Sequence, residues 1–504
     1  WVRVDPDRRR LVNEQGAEVI FHGVNVVSKL PPYHPQTDHF DPVDSLVAKD
    51  VQDMKAMGVN VVRLLVALPG VFPARGQVNE TYLDKIAEIV DVLATSGIYT
   101  ILDAHQDLFS PKFCGNGFPD WATPYTNVSE GVRPEKFPIP TAWHEYEVDP
   151  ETGYPLPSEC YKSAFFRYYF SDAVGKAFQA FYDNYDGIQD EFVNFWRVVA
   201  QRFATRSSVI GYEILNEPFL GDILLHPEFL DIRQADKKNL QSFYQKVHEA
   251  VREVDDRHLL FFEATVGVSQ TPFKSLSGTG LSAGPGGAEY NDRQVFSYHM
   301  YCFYNTRDGQ PANTELCNAY FDKYLSNVIE GDLEKLSVAG FLTEWGAMID
   351  DGPVDSAMAD KIGEITDRHA QSWTYWQFKS YHDPTTQAME PDGTVEEGFY
   401  NQTDGSLREG KVRLIARTYP QQVAGNISSY SFEPSTGNFQ LTFSSSGVEG
   451  DATVIFASGK WFYPLGVEVQ VTPEDSMLVS LASDSVILRT LAGVKEGTEV
   501  SVSV

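Results

Sequence analysis

The run Val209-Ile-Gly-Tyr-Glu-Ile-Leu-Asn-Glu-Pro-Phe219 decides the fold. Residues 209–215 have the length and apolar character of a short buried strand. The run stops at Asn216, Glu217 and Pro218. Proline has no N–H for a sheet and biases the residue before it toward extended backbone. The strand is therefore expected to end there, with Glu217 extended at its C-terminal tip. Parallel α/β barrels place their chemistry at that edge. An ordinary strand-to-loop junction looks the same, so a partner carboxylate has to decide.

The same texture repeats on both sides. Residues 19–27, 59–66, 98–104, 259–264, 295–301, 338–343 and 373–378 also read as strands. Helical spacing occurs at 46–57, 83–95, 192–205, 240–254, 319–329 and 356–368. Near-continuous apolar runs belong to strands covered on both faces, which means a parallel sheet. Eight strands alternating with helices predict an α/β fold, a (β/α)₈ TIM barrel over residues 1–403. An open doubly wound sheet is the rival, but no glycine-rich phosphate loop follows the first strand.

After residue 403 the period changes to two. Phe439, Leu441 and Phe443 alternate with polar residues, as do Val467, Val469 and Val471, and Val500, Val502 and Val504. This predicts a C-terminal antiparallel β-sandwich domain over 404–504, read as a packing module in preference to a sugar-binding one because it shows no cluster of exposed aromatics.

The formal net charge of −30 excludes a nucleic-acid partner and opposes docking to anionic lipid by charge alone. No apolar run approaches the ~18 residues of a membrane span. The four cysteines match no zinc spacing. Pairing Cys114 with Cys160 and Cys302 with Cys317 would staple two long loops, as exported proteins do; buried free thiols are the alternative. The chain opens on Trp1 rather than Met, as a processed chain or a trimmed one would, which allows for a lost signal peptide. A secreted protein and a monomer are expected. Sequons stand at Asn79, Asn127, Asn401 and Asn426.

Two insertions are long for a barrel. Residues 106–185 far exceed the ~2–6 residues of an ordinary βα loop. They carry Trp121, Trp143 and two cysteines. Residues 219–232 are apolar and follow Glu217 directly. They read either as a ligand or membrane contact or as a short helix packed under the first insertion.

The partner carboxylate is Glu344, at the end of the apolar stretch Ala339-Gly-Phe-Leu-Thr-Glu-Trp-Gly346. Glycosidic cleavage needs one protonated carboxyl at the leaving oxygen and one carboxylate at the anomeric carbon. Asp103, Asp107 and Glu263 are further acids near strand ends. Arg63, the one charge in its strand, is the cation expected beside the nucleophile; a buried ion pair is a compatible reading. Asp103 and His105 share a strand face, as do His299 and Tyr301. Trp376 lies near the last strand's end.

These motifs together resemble the family 5 glycoside hydrolases of clan A. The His105-Gln-Asp107 run, the Lys29 segment and the C-terminal sandwich narrow the likeness to the endoglycoceramidases, which cut intact oligosaccharide from the ceramide of glycosphingolipids. The resemblance implies a retaining mechanism, with Glu217 as acid/base and Glu344 as nucleophile. Asn216 would bind the sugar 2-hydroxyl. His105, His299 and Tyr301 would line the cleavage subsite, with Trp376 under the ring. Lys29, Asp103 and Asp107 would bind sugar hydroxyls. No metal or organic cofactor is implied. The expected partner is a glycosphingolipid, through headgroup and ceramide, with contact to a membrane surface. A family 5 enzyme acting on soluble β-glucans or β-glucosides, and a non-catalytic glycolipid-binding protein, are the rival readings.

Overall fold

A computed structural model describes residues 1–123, 147–266, 278–302, 313–387 and 397–504. Trp143 and the Asn127 sequon lie outside the described residues. Eight parallel strands close into a barrel: β1 (His22–Val26), β2 (Val61–Leu65), β3 (Tyr99–Asp103), β4 (Val209–Glu213), β5 (Leu259–Phe262), β6 (Gln294–Met300), β7 (Ala339–Gly346) and β8 (Ser372–Trp376). The ring closes where β8 pairs with β1. All residues of β1, β2, β4 and β8 are buried, because helices cover the outside and side chains fill the inside. That double burial is why the sequence runs are apolar without alternation. The expected barrel is present, with each strand within a few residues of its reading.

The barrel floor is packed by Val61, Ile101, Ile210, Phe261 and Phe341, and closed by Val2, Val4 and Leu11. Those last three come from an N-terminal hairpin, Val2–Asp5 with Arg10–Asn13. The hairpin leads through Glu18–Val19 to Tyr419–Val423 of the C-terminal domain. The first 19 residues, assigned to the barrel domain by sequence, thus extend the sandwich's seven-stranded sheet. The reason is visible in Val2–Asp5, where buried Val2 and Val4 flank exposed Arg3, a half-buried antiparallel pattern. At the other boundary, helix Glu409–Ile415 lies beyond residue 403 yet buries Val412 and Ile415 in the barrel's apolar core.

The sandwich pairs that sheet with a four-stranded one, and Phe439, Leu441, Phe443, Val500 and Val502 fill the space between. Of the 467–471 run, only the end becomes strand, Gln470–Thr472, because a turn from Tyr463 to Gly466 precedes it. Among the contacts that anchor the domain to the barrel, the Tyr419 hydroxyl donates to the Gly58 carbonyl (2.7 Å), Trp461 Nε1 to the Ala56 carbonyl (2.9 Å) and Arg417 Nη2 to Asp367 Oδ2 (2.6 Å).

Both expected disulfides are formed, Cys114–Cys160 and Cys302–Cys317. Within the first insertion, helix Asp172–Tyr182 brings Phe178 and Phe181 against Phe109 and Phe118. The second insertion divides between its two readings. Phe219 and Leu220 are fully buried, and Phe219 meets Tyr169 and Phe178 of the first insertion. Leu224, Leu225 and Leu230 are 46%, 69% and 57% exposed. Among the described residues no helix is long and apolar enough to cross a membrane.

Candidate active site

Strand β4 ends at Glu213, but its pairing persists: the Ile214 N–H donates to the Phe261 carbonyl and the Asn216 N–H to the Ala104 carbonyl, each at 3.0 Å. Glu217 is not extended, as the following proline suggested. Its φ is +42°, in the left-handed region that non-glycine residues rarely adopt. Tertiary contacts hold it there. The Gln106 side-chain amide donates to the carbonyls of both Asn216 (3.0 Å) and Glu217 (2.9 Å), and the Glu217 N–H donates to Glu263 Oε2 (3.2 Å). Such a conformation costs on the order of 1–3 kcal/mol and persists at sites where surrounding structure over-determines it.

Glu344 lies within β7 rather than at its end. The pairing of β7 with β6 shifts register between Leu342 and Glu344, and with β8 between Leu342 and Trp345. This bulge re-aims the side chain, a device common beside active sites.

Arg63 is wholly buried and joins the two halves of the site. Its Nη1 donates to Glu344 Oε1 (2.7 Å) and Asn25 Oδ1 (3.0 Å), its Nη2 to Asn216 Oδ1 (2.8 Å), and its Nε to Glu213. Asp103 Oδ2 lies 3.2 Å from Nη2 and accepts from His105 Nδ1 (2.8 Å). The second oxygen of Glu344 accepts from the Tyr301 hydroxyl (2.9 Å). His299 Nδ1 donates to Glu217 Oε1 (2.8 Å) and lies 3.4 Å from Glu344 Oε2. One oxygen each of Glu217 and Glu344 and a His299 nitrogen all fall within 4.8 Å of one another.

Beside this lies a second group. Lys29 Nζ pairs with Asp107 (2.7 Å) and Asp383 (2.9 Å), donates to Thr385 Oγ1 (2.7 Å), and sits 4.7 Å from the Trp376 ring centre. His105 stacks on Trp376 at 5.2 Å, and its Nε2 is 3.5 Å from Asp107.

The charges follow from burial opposed by neighbours. Burial disfavours imidazolium at His299, but Glu263, Glu344 and Glu217 outweigh it and hold its pKa well above the ordinary value. His105 is likewise lifted to about 9, burial being outweighed by Asp103 and Asp107. Burial raises Glu263 to about 7, against the pull of His299. Burial also raises Glu344; His299, Arg63 and His105 oppose it, and Glu217 adds to it. Arg63 and Tyr301 each donate to one oxygen of Glu344 and favour its charged form against that burial.

The eleven residues singled out by sequence form one connected constellation. Asp103 is fully buried, with its Oδ2 divided between Arg63 and His105, so it reaches a ligand only through them. Lys29 is similarly enclosed by Asp107, Asp383 and Thr385. Sequence reasoning missed Asn25, Gln106, Glu213 and Asp383 as site residues. Asn25 and Glu213 are polar residues inside buried strands, the signal that found Arg63. Asp383 lies past the barrel strands with no such signal. The sets Glu213/Glu263/His299 and Glu217/His299/Glu344 have a spacing a metal ion could use. His299 and Arg63 already place positive charge there.

Residues 12–382 match the family model described as cellulase, glycosyl hydrolase family 5, and residues 417–504 match the glycoside hydrolase family 5 C-terminal domain. An endoglycoceramidase of Cyanea nozakii is 37% identical over 505 residues, covering 100% of this chain and 93% of that protein. One from Hydra vulgaris is 37% identical over 477 residues, covering 94% of this chain and 84% of that protein. Among solved structures, endo-glycoceramidase II from Rhodococcus sp. superposes with a TM-score of 0.73 at 24% identity, covering 98% of this chain and 99% of that one. The chain belongs to glycosyl hydrolase family 5.

Proposed function

We propose that this chain is a retaining endo-glycosidase that hydrolyses the β-glycosidic bond between oligosaccharide and ceramide in glycosphingolipids. The observation that carries the chemistry is the closeness of Glu217 and Glu344, with oxygens within 4.8 Å. Retaining glycosidases hold their carboxyls about 5–5.5 Å apart, and inverting ones leave about 6.5–9.5 Å for a water. The substrate reading rests on the two full-length relatives at 37% identity, both endoglycoceramidases.

Glu344, held by Arg63 and Tyr301, attacks the anomeric carbon as Glu217 gives its proton to the departing ceramide oxygen. The bond to that oxygen breaks and a glycosyl ester forms on Glu344. Glu217, now a carboxylate, takes a proton from water; the water oxygen attacks the anomeric carbon and releases Glu344. Asn216 and His105 face the sugar hydroxyls, and Trp376 supports the ring. Asp107 binds a sugar hydroxyl as well, while Lys29 and Asp103 hold these groups in place from behind.

The ceramide side lies beyond Glu217, where Leu224, Leu225 and Leu230 offer an exposed apolar surface to lipid. Two disulfides suit a secreted protein. We read it as a monomer.

Mass analysis of the products from a ganglioside tests the reading. Intact oligosaccharide plus ceramide is expected; release of monosaccharide alone overturns the endo assignment, and cleavage of cellulose oligomers only would favour a soluble β-glucan.

A further inference from the structure

Glu263 is a buried acid that the mechanism above does not use. It is the first residue past β5 and is 2% exposed. Its two oxygens both serve the acid/base. Oε2 accepts the Glu217 backbone N–H at 3.2 Å, and Oε1 lies 2.9 Å from His299 Nε2. The other ring nitrogen of His299 donates to Glu217 Oε1 at 2.8 Å. The Tyr244 hydroxyl donates to the Glu263 carbonyl (2.7 Å) and anchors the residue from the barrel wall.

An imidazole between two carboxyls has a choice of states. As imidazolium it donates at both nitrogens. As a neutral ring it has one N–H and can turn a bare lone pair toward either neighbour. A bare Nδ1 facing Glu217 would take the proton meant for the leaving oxygen. A carboxyl oxygen of Glu263 2.9 Å from Nε2, opposite Glu217 at Nδ1, favours the ring with a proton on both nitrogens and removes that choice. Oε1 of Glu217 is then an acceptor only, and its own proton must stand on the other oxygen.

We propose that Glu263 is a positioning residue for the acid/base: it grips the Glu217 backbone and, through His299, keeps Glu217 Oε1 occupied so that the catalytic proton stands on Oε2. This rests on the acid/base role proposed for Glu217. Glu263 touches no reacting atom, and its main effect is expected on proton donation by Glu217. A general acid matters when the leaving group is a poor one, such as an alcohol, and little when the leaving group departs as a stable phenolate.

The test compares Glu263→Gln, Glu263→Ala and the wild type on octyl β-lactoside and dinitrophenyl β-lactoside, two substrates with one sugar and different leaving groups. In Glu263→Gln, kcat/KM on the alkyl lactoside is expected to fall by about 10–100-fold and on the aryl lactoside by less than about threefold. Retained aryl turnover also certifies the fold. Glu263→Ala, which loses the backbone grip as well, is expected to fall further on the alkyl substrate. Equal loss on both substrates marks a merely structural role and overturns the proposal, as does no loss on either. Wild type that cleaves the alkyl lactoside but no glycosphingolipid refutes the substrate reading and leaves this test standing.

Discussion

Arg63 Nη1 donates to Glu344 Oε1 at 2.7 Å from the floor of the site, while the Tyr301 hydroxyl donates to the other oxygen at 2.9 Å. The two donors differ in what else they hold. Arg63 also compensates buried Glu213 and Asp103, whereas Tyr301 is tied to Glu344.

Arg63→Met therefore removes the cation shared by Glu213, Asp103 and Glu344, leaving His105 beside Asp103 and His299 near Glu344. Breaking a buried ion pair in this way costs about 3–5 kcal/mol. Denaturant unfolding should show a loss of that size, with no turnover. Tyr301→Phe should unfold near the wild-type midpoint and lower kcat by about 10²-fold, the scale of one lost transition-state donor. An unfolding midpoint for Tyr301→Phe as low as that of Arg63→Met would contradict this division.

The roles of the two acids separate in a pre-steady-state experiment. With dinitrophenyl β-lactoside, Glu217→Gln should form the glycosyl-enzyme and hydrolyse it slowly, because water is no longer deprotonated. Mass spectrometry of the quenched protein should find the sugar on Glu344. Glu344→Gln should show neither adduct nor turnover. An adduct elsewhere than Glu344 would reassign the nucleophile.

The exposed leucines after Glu217 can be tested without touching the core. Leu224, Leu225 and Leu230 are exposed, whereas Ile223 packs against the barrel and is best left. Replacing the three leucines by serine should lower kcat/KM on glycosphingolipid by about tenfold or more, as loss of apolar contact area would, and spare a short soluble lactoside. Equal loss on both substrates would remove the segment from lipid recognition.

Stability should fall as pH rises from neutral to about 9. Glu397 is buried and its carboxyl is raised from 4.5 to about 8 by burial and by Asp383. In the window between those values the folded state binds the proton more tightly than the unfolded state, so stability drops with each step upward. His105, raised from 6.5 to about 9, contributes stability below 6.5 that is lost as pH passes 9. Both signs agree. Thermal midpoints of Glu397→Gln should decline less between pH 6 and 8 than those of the wild type; parallel declines would remove Glu397 as a cause.

Much of this molecule is legible from local pattern. The barrel strands show because double burial demands apolar runs, and the sandwich shows because half-burial demands alternation. Glu217, Glu344 and Arg63 stand out because a charge in or at the end of such a run has few bland explanations. The disulfide pairing suggested by loop position, against free thiols, is the one formed. Local pattern fails where geometry is set by partners remote in the chain. Pro218 argues for an extended Glu217, yet Gln106 and Glu263, 111 and 46 residues away in sequence, hold it at positive φ. The β7 bulge that turns Glu344 inward is a property of pairing with β6 and β8. Val2–Asp5 joins a sheet built from residues past 418, which no local period announces.

The sequence by itself determined which residues must be buried, where strands stop and which charges are out of place, since these depend on side-chain chemistry along one segment. Only the tertiary structure decided that Arg63, His299 and Glu263 meet Glu217 and Glu344, because closing a barrel brings strand ends together across hundreds of residues. It also decided that the 219–232 segment is split, with Phe219 in the core and Leu224, Leu225 and Leu230 facing outward, since burial there depends on the first insertion packed above it.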